Sequence, residues 1–384
     1  MSELILGLIG SSSKENEHRV PIHPRHFEHV DADLRARMVV EEGYGVRFGV
    51  SDDAIAALVG SIASRSGVIS AADIVLLPKP RHKDVEALRD GQVLWGWPHL
   101  VQDEVMTQLA IDKRLTFIAW EAMNHWTTDG SFGVHVFHLN NELAGYCSVL
   151  HAMAVMGLTG NYGRHLTAVV IGFGNTARGA VTALQSLGVH DVTVLTQREV
   201  AAVAAPIPSV TLDHMERTEL DSSRTVTLRE DGPQPTAEFL AEHDIVVNCV
   251  FQDTDAPLMF ATDAELAHFR PGTLLVDVSC DKGMGFECAR PTTFDDPTFD
   301  AGHGVRYYSV DHSPSYLFDS SSWVISDALI PHLRTVMSGP EAWVLDETIR
   351  LAIEIRDGVI QNPKILSFQG RSADHPYPVH VDRG

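Results

Sequence analysis

The chain has 384 residues, of which 44% are hydrophobic and 21% are charged, and its formal net charge is −22. This length is sufficient for two domains with separate cores, and the composition is ordinary for a globular protein. Nucleic acids and anionic membranes attract basic surfaces, so the acidic balance argues against both as partners.

The N-terminal stretch MSELILGLIG contains an acid and has no basic segment ahead of its apolar run, so we interpret it as a first strand and not as a signal peptide. No segment reaches about 18 consecutive apolar residues, so no membrane-spanning helix is expected. The four cysteines show no CxxC pairing and no partner at metal-ligand spacing, which argues against a metal site. We therefore expect a cytoplasmic protein with reduced thiols and no bound metal.

The first third of the chain alternates short apolar runs with helix-like segments, which is the βαβ rhythm of a parallel sheet. The apolar runs that predict strands are residues 4–10, 37–43, 73–79, 92–97 and 115–121. A helix is predicted from about Asn140 to Gly157, because apolar residues recur there near the 3.6-residue period and a glycine ends the pattern.

A second set of predicted strands begins at residue 168, and it comprises residues 168–172, 192–196, 244–250, 273–279 and 304–310. Between about 200 and 240 the pattern is lost and prolines indicate loops, whereas helices are predicted after about 315. The fold class predicted is α/β, with two Rossmann-like parallel-sheet domains and an interdomain cleft. Residues 1–138 and 316–384 would form a discontinuous substrate domain, and residues 139–315 a dinucleotide-binding domain.

The stretch VVIGFGNTARGAVTAL has the form of a strand, a glycine turn and a helix. Its GxGxxA pattern consists of Gly172, Gly174 and Ala177. The first glycine permits a tight turn, the second lets the backbone approach a pyrophosphate, and the small third residue lets helix and strand pack closely. Phosphate would then meet the N–H groups of the helix N-terminus, including those near Asn175 and Thr176. With another strand about 20 residues further on, the pattern predicts dinucleotide binding.

The next strand ends without the acid that accepts hydrogen bonds from an adenosine ribose. Thr196, Gln197 and Arg198 occupy this place and offer neutral groups and a cation. Because a nearby arginine accommodates a 2′-phosphate, these residues favour NADPH, with NAD(H) left open as the alternative. Val250, at the end of the strand 244–250, completes the predicted cofactor-binding set.

Several stretches together resemble the alanine dehydrogenase and pyridine nucleotide transhydrogenase family. They are ENEHRVPIHPRHF (15–27), KP (79–80), GQVLWGWPHL (91–100), VDVSCDKG (276–283) and FECARPTTFDDPTF (286–299). Other stretches are most similar to N5-(carboxyethyl)ornithine synthase (VEEGYG, RDGQVLWGWPH and ELAGYCSVLHAM) and to the lysine-forming saccharopine dehydrogenase (YYSVDHSPSYLF). The resemblance implies an enzyme that forms secondary amines from an amino acid and a 2-oxo acid.

The resemblance also implies roles for individual residues. Arg19 would bind the carboxylate of an oxo acid, for which a guanidinium offers a bidentate fork. Lys79 ends an apolar strand, so partial desolvation would lower its pKa, and it would both bind substrate and transfer protons. His99 would donate and accept protons near the reacting oxygen or nitrogen, and Asp281 would assist beside the nicotinamide. His312 stands where the alanine dehydrogenases and the ornithine synthase typically have Asn.

These observations predict an NADPH-dependent oxidoreductase acting on a C–N bond. It would condense a 2-oxo acid, pyruvate or a relative, with the amine of an amino acid and reduce the imine. Alternatives are reductive amination with ammonia, saccharopine dehydrogenase-like activity, and a non-catalytic protein that senses NADP(H). A homo-oligomer is left open.

Overall fold

A computed structural model describes residues 4–198 and 207–379 of the chain. The described residues form two compact units. One unit comprises the residues up to His138 together with those from Leu317 onward, and the other runs from Leu139 to Tyr316. The predicted division lies at 138/139 and 315/316, so the chain crosses between the units within one residue of both predicted positions.

The strands and helices alternate along most of the chain. The strands are β1 (Leu6–Leu8), β2 (Met38–Glu41), β3 (Ser61–Ala63), β4 (Ile74–Leu76), β5 (Val93–Gly96), β6 (Thr116–Ala119), β7 (Asn124–Trp126), β8 (Phe132–His135), β9 (Thr167–Ile171), β10 (Asp191–Thr196), β11 (Thr211–Arg217), β12 (Thr225–Arg229), β13 (Gly232–Pro235), β14 (Ile245–Asn248), β15 (Met259–Ala261), β16 (Leu274–Asp277), β17 (Gly285–Phe286), β18 (Thr298–Asp300), β19 (Arg306–Tyr308), β20 (Ile353–Arg356) and β21 (Val359–Ile360). The helices are α1 (Ala32–Arg35), α2 (Asp52–Ala56), α3 (Arg65–Ala71), α4 (His82–Glu86), α5 (Glu104–Asp112), α6 (His138–Val155), α7 (Asn175–Ser186), α8 (Thr236–Leu240), α9 (Phe318–Met337), α10 (Pro340–Leu345), α11 (Glu347–Ala352) and α12 (Pro363–Gln369).

The first unit is built on an eight-stranded sheet with the order β21-β20-β6-β5-β4-β1-β2-β3. Six neighbouring strands of this sheet are mutually parallel, namely β6, β5, β4, β1, β2 and β3. Their order is that of a doubly wound dinucleotide fold. Alternate residues of β4 face opposite sides, since Ile74 and Leu76 join one apolar cluster and Val75 joins the other. Helix α9 covers the first cluster with Ile325, Leu329, Leu333 and Val336.

The second unit repeats this arrangement with a nine-stranded sheet, β13-β12-β11-β10-β9-β14-β16-β19-β18. Six neighbouring strands of this sheet are parallel, namely β11, β10, β9, β14, β16 and β19. At the edges of the sheet, β12, β13 and β18 run antiparallel to their neighbours. Val170 and Val194 face one apolar cluster, and Val169 and Leu195 face the other. The predicted α/β class with two parallel-sheet units is confirmed.

Four regions differ from the sequence-based expectation. The stretch between 200 and 240, predicted to be loop, contains β11, β12 and β13 within its described part. The segment LDETIRLAIEIRDGVI, predicted to be helical, is helical only in α11 and then forms the hairpin of β20 and β21. Strand β3 lies outside the predicted strands, and residues 124–138, for which no element was predicted, contain the hairpin of β7 and β8. Strands β3 and β21 are only three and two residues long, which is too short to show a period.

A search of the described helices finds none that is both long and apolar enough to cross a membrane.

Candidate functional site

In a doubly wound sheet, ligands bind beyond the carboxyl ends of the strands, at the point where the strand order reverses. In the first unit this point lies between β1 and β4, and in the second between β9 and β14. Lys79 lies just beyond β4, and the glycine turn begins directly after β9. The topology of each unit therefore brings one group of predicted site residues to its switch point.

Lys79 and His99 meet at the first switch point, where Lys79 Nζ lies 2.7 Å from His99 Nε2. A hydrogen bond from the Ser12 hydroxyl to the Lys79 carbonyl joins the loops that follow β1 and β4. The lysine is half-buried, as expected for partial desolvation, and the His99 side chain is 48% exposed. An ammonium group that donates to an imidazole nitrogen can pass a proton to it, so this pair is suited to acid–base chemistry.

The backbone of His99 is in the left-handed region, with φ +52°, which is uncommon for a residue with a side chain. Its N–H donates to Glu121 Oε1 at 2.7 Å, and its Nδ1 lies 3.9 Å from the same oxygen. Glu121 follows β6, so a carboxylate from a third loop fixes the turn that presents His99. Sequence analysis missed this residue, because no local motif marks it.

Arg19 is buried beside the same loops. Its Nε donates to Glu17 Oε1 at 2.8 Å and its Nη2 to Glu17 Oε2 at 2.5 Å. The guanidinium carbon lies 5.2 Å from the ring centroid of Trp97, two residues before His99. The structure thus brings Arg19 to the same group of loops as Lys79 and His99. Glu17, the second missed residue, aligns Arg19, and the E-x-R spacing is the signal that points to it.

Glu121 has an acidic neighbour, Glu354 on β20. Burial and the charge of Glu354 raise the pKa of Glu121 above its usual range. Burial also raises the pKa of Glu354, although the Asn362 amide donates to its Oε1 at 2.8 Å. The Oε2 atoms of both residues are buried without a hydrogen-bond partner. Both carboxyl groups are therefore biased toward the protonated form.

The glycine turn of the second unit has the geometry that its sequence predicts. Gly172 adopts φ +112°, and its N–H donates to Leu195 O at 2.8 Å. A Cβ on Gly174 would meet nothing within 4 Å, so the surface above this residue is open to a ligand. Ala177 is fully buried, whereas Asn175 and Thr176 are half-buried at the start of α7. Open backbone at a helix N-terminus suits a pyrophosphate.

Helix α7 also packs closely on α6, which explains two further glycines. A Cβ on Gly179 would lie 1.8 Å from Glu142 O, and a Cβ on Gly145 would lie 1.9 Å from Thr176 O. Both glycines therefore allow the two helices to pack closely, whereas Gly174 faces open space.

The end of β10 has one buried residue, and two exposed residues follow it. Thr196 is buried, and its Oγ1 accepts from Arg198 N at 3.1 Å, which closes the turn. Gln197 and Arg198 are exposed, and β10 ends at Thr196 without an acid. Val250, beyond β14, is fixed through its backbone, since its N–H donates to Asn248 Oδ1 at 3.2 Å.

Asp281 is half-buried beyond β16, at the same edge of the second sheet as the glycine turn. Beneath it, the buried Asp277 accepts from Tyr307 Oη at 2.7 Å and from Asn248 Nδ2 at 2.9 Å. Burial raises the pKa of Asp277 to about 6. This carboxyl group links the ends of three strands. His312 is buried, with Nδ1 2.7 Å from Asp311 Oδ1.

Within residues 4–198 and 207–379, no group of three or more His, Cys, Asp or Glu side chains is arranged to hold a metal ion.

The two doubly wound sheets, one with a phosphate-type glycine turn and one with a lysine–histidine pair, define the class of two-domain pyridine-nucleotide oxidoreductases. Two sequence models match: the alanine dehydrogenase/PNT C-terminal domain over residues 144–363 and the N-terminal domain over residues 9–134. The chain belongs to the alanine dehydrogenase/PNT family and is an oxidoreductase of that family. The predicted membership is confirmed.

Individual relatives span most of the chain at low identity. An alanine dehydrogenase from Mycobacterium tuberculosis (strain ATCC 25618 / H37Rv) is 26% identical over 338 residues, which cover 85% of each protein. An N(5)-(carboxyethyl)ornithine synthase from Clostridium botulinum (strain Hall) is 24% identical over 332 residues, covering 83% of this chain and 90% of that protein. Both names agree with the resemblance found in the sequence.

Solved structures share the fold. An L-alanine dehydrogenase superposes with a TM-score of 0.72 at 18% identity and covers 95% of this chain and 99% of its own. A transhydrogenase from Sinorhizobium meliloti superposes with a TM-score of 0.66 at 20% identity, covering 94% of this chain and 99% of its own.

Proposed function

We propose that the protein is an NADPH-dependent enzyme that joins a 2-oxo acid, pyruvate or a close relative, to the amine of an amino acid. The product is a secondary amine that carries two carboxylates. The observation that carries this proposal is the lysine–histidine pair of the first unit, with Arg19 in the adjoining loops, combined with a nucleotide unit whose second parallel strand lacks a terminal acid.

The first unit supplies groups for substrate binding and proton transfer. Arg19 and Lys79 offer two cations to the carboxylate of the oxo acid, with Arg19 held in orientation by Glu17. When the amine adds to the oxo carbon, His99 accepts a proton from nitrogen. Lys79 and His99 return protons to the departing hydroxyl group, so that water leaves and an imine forms.

The second unit holds the cofactor. The turn at Gly172 and Gly174 would bind the pyrophosphate, and Arg198 would face the 2′-phosphate. When bound, the nicotinamide supplies the hydride that reduces the imine carbon. Asp281, at the same sheet edge, would orient groups beside the nicotinamide ring.

The alternative with the most support is reductive amination of the oxo acid by ammonia, because most of the similar proteins bear the name alanine dehydrogenase. The similar ornithine synthase and the stretches ELAGYCSVLHAM and YYSVDHSPSYLF favour an amino-acid amine instead. Saccharopine dehydrogenase-like activity would use the same proton-transfer residues with a longer oxo acid.

The test is a screen of oxo acids against amines, in which loss of NADPH absorbance is followed and products are weighed by mass spectrometry. Pyruvate with ornithine or lysine should consume NADPH faster than pyruvate with ammonia, and the product mass should equal the two substrates joined with loss of one oxygen. Turnover with ammonia alone would contradict the proposal and favour the alternative.

A further inference from the structure

The segment that carries Arg19 is buried although no residue from 17 to 23 lies in a strand or helix. Arg19, Val20, Ile22 and His23 are each 3% exposed or less. Buried backbone N–H and C=O groups need hydrogen-bond partners, and in this segment a strand or helix does not supply them. The position of Arg19 therefore depends on the side chains that bind the backbone around it.

Tyr44 binds this backbone from the loop that follows β2. Its hydroxyl donates to Ile22 O at 2.8 Å and accepts from the Ile22 N–H at 3.0 Å, so one side chain pairs both polar backbone groups of a single residue. The tyrosine is 4% exposed, and its ring centroid lies 5.9 Å from that of Phe27. Burial raises the pKa of the phenol well above its usual range, so the hydroxyl keeps the proton that it donates.

Helix α9 binds the same segment through polar side chains three residues apart, a spacing that places them on one face of the helix. Ser322 Oγ accepts from the Val20 N–H at 2.9 Å, and Asp319 Oδ1 lies 2.8 Å from His23 Nε2. The Val20 N–H belongs to the peptide unit that begins at the Arg19 carbonyl carbon. Ser322 therefore fixes the backbone immediately after Arg19.

We propose that Tyr44 and Ser322 are positioning residues, which aim the Arg19 guanidinium at the carboxylate of the oxo acid by fixing the backbone on its C-terminal side. Glu17 and Trp97 contact the guanidinium itself. Those contacts set how the side chain is turned, whereas Tyr44 and Ser322 set where the backbone that carries it lies. Both are needed, because a small displacement of a group that holds substrate is costly.

The first test measures how the full chain binds oxamate, an unreactive analogue of pyruvate, with NADP⁺ present. Tyr44→Phe keeps the buried ring but removes both hydrogen bonds to Ile22, so the dissociation constant of oxamate should rise about tenfold. Ser322→Ala removes one bond to the backbone and should raise it about threefold. The dissociation constant of NADP⁺ should stay unchanged in both variants, because the glycine turn lies on the other unit. Ligand-observed NMR measures the oxamate titrations, and calorimetry measures those of NADP⁺.

Thr348→Val is the matched control. Its hydroxyl, on the same unit, donates to Asn124 O at 2.8 Å, and the residue is 9% exposed. The variant therefore loses a buried bond from a hydroxyl to a backbone carbonyl, as Tyr44→Phe does, but oxamate affinity should stay at the wild-type value.

A double-mutant cycle separates positioning from a general loss of structure. If Tyr44 acts through Arg19, the Tyr44→Phe/Arg19→Ala double variant should bind oxamate no more weakly than Arg19→Ala alone. Damage to the site that does not involve Arg19 would instead multiply the two effects.

The inference rests on the proposed function, and the outcomes distinguish the two. Wild-type oxamate affinity in Ser322→Ala and Tyr44→Phe, or multiplied effects in the cycle, would overturn the inference and leave the role of Arg19 intact. A wild-type protein that binds no oxamate would reject the proposed oxo-acid site and the inference with it. Should Tyr44→Phe fail to fold, weaker oxamate binding by Ser322→Ala with unchanged NADP⁺ binding supports the inference, and unchanged oxamate binding overturns it.

Discussion

The parallel strands of the two units have the same order, but different chemical groups form the two sites. At the switch point of the second sheet, the site consists of backbone N–H groups and open space above Gly174. At the switch point of the first sheet, it consists of charged side chains from loops that follow different strands, each held by a partner. A phosphate site of this kind is encoded in one short stretch, whereas a proton-transfer site depends on which strands are neighbours.

The largest effect should come from the first unit. His99→Ala removes the proposed proton shuttle, so turnover should fall by roughly 10²–10⁴-fold while NADPH affinity stays unchanged. Steady-state kinetics and NADPH titration measure the two quantities. His165→Ala is the matched control, because this imidazole is 73% exposed on the other unit. Near wild-type turnover of His99→Ala on a confirmed substrate would contradict the proposed role of His99 in proton transfer.

A pair of glycine variants should sharpen the comparison between open space and close packing. Gly174→Ala should leave the melting temperature nearly unchanged but weaken NADPH binding by about tenfold or more, since its methyl group enters only the ligand space. Gly179→Ala should do the reverse and destabilise the fold by about 1–3 kcal/mol, because its Cβ would lie 1.8 Å from Glu142 O. Thermal unfolding and NADPH titration are compared for both. Undiminished NADPH binding by Gly174→Ala would disprove the phosphate turn.

In the second unit, where backbone groups would bind the pyrophosphate, we expect a side chain to determine the preference for NADPH over NADH. Arg198→Asp should weaken NADPH binding by about tenfold and improve NADH binding relative to it, because a carboxylate repels the 2′-phosphate and accepts from a 2′-hydroxyl. Dissociation constants for both nucleotides are measured for the two proteins. If the wild type binds NADH more tightly than NADPH, the assignment is wrong.

The remaining effect depends on pH and concerns the buried acid of the second unit. Burial raises the pKa of Asp277 from 3.8 to about 6, so the folded state holds a proton that the unfolded chain has lost. Its stabilising contribution, about 3 kcal/mol at most, is present below pH 3.8 and is lost as the pH rises through 6. Asp277→Asn should therefore flatten the fall in unfolding free energy between these limits. Denaturant titrations at several pH values test this, and an unchanged slope would show that Asp277 is ionised throughout.

Sequence analysis predicted the parts of the molecule in which the pattern is local. Five of the six parallel strands in each sheet and the turn at Gly172 follow from apolar runs and glycine spacing alone, whereas β3 and β11 were missed. The hairpin of β20 and β21 was mistaken for helix, although Asp357 and Gly358 (φ +51° and +79°) form the two-residue turn typical of hairpins. The apolar spacing of the preceding helix α11 hid that turn.

The contacts of the first site could not be predicted in this way. Arg19, Lys79 and His99 were identified by resemblance, but Glu121 and Glu354 lie in stretches without a motif. Glu354 lies on β20, whose pairing with β6 joins the first third of the chain to its last tenth. No periodicity in a window of neighbouring residues contains that information.

The pairing of β20 with β6 also has a consequence for synthesis on the ribosome. All strands of the second sheet lie between Leu139 and Tyr316, so that unit can fold as soon as its last strand emerges. The first sheet must wait, with the edge of β6 uncovered, until the residues of α9 and β20 have been made. Until then an unpaired strand edge and the apolar face that α9 later covers are open to other chains. The first unit is therefore the one whose strand edge and apolar face stay uncovered for longer during synthesis.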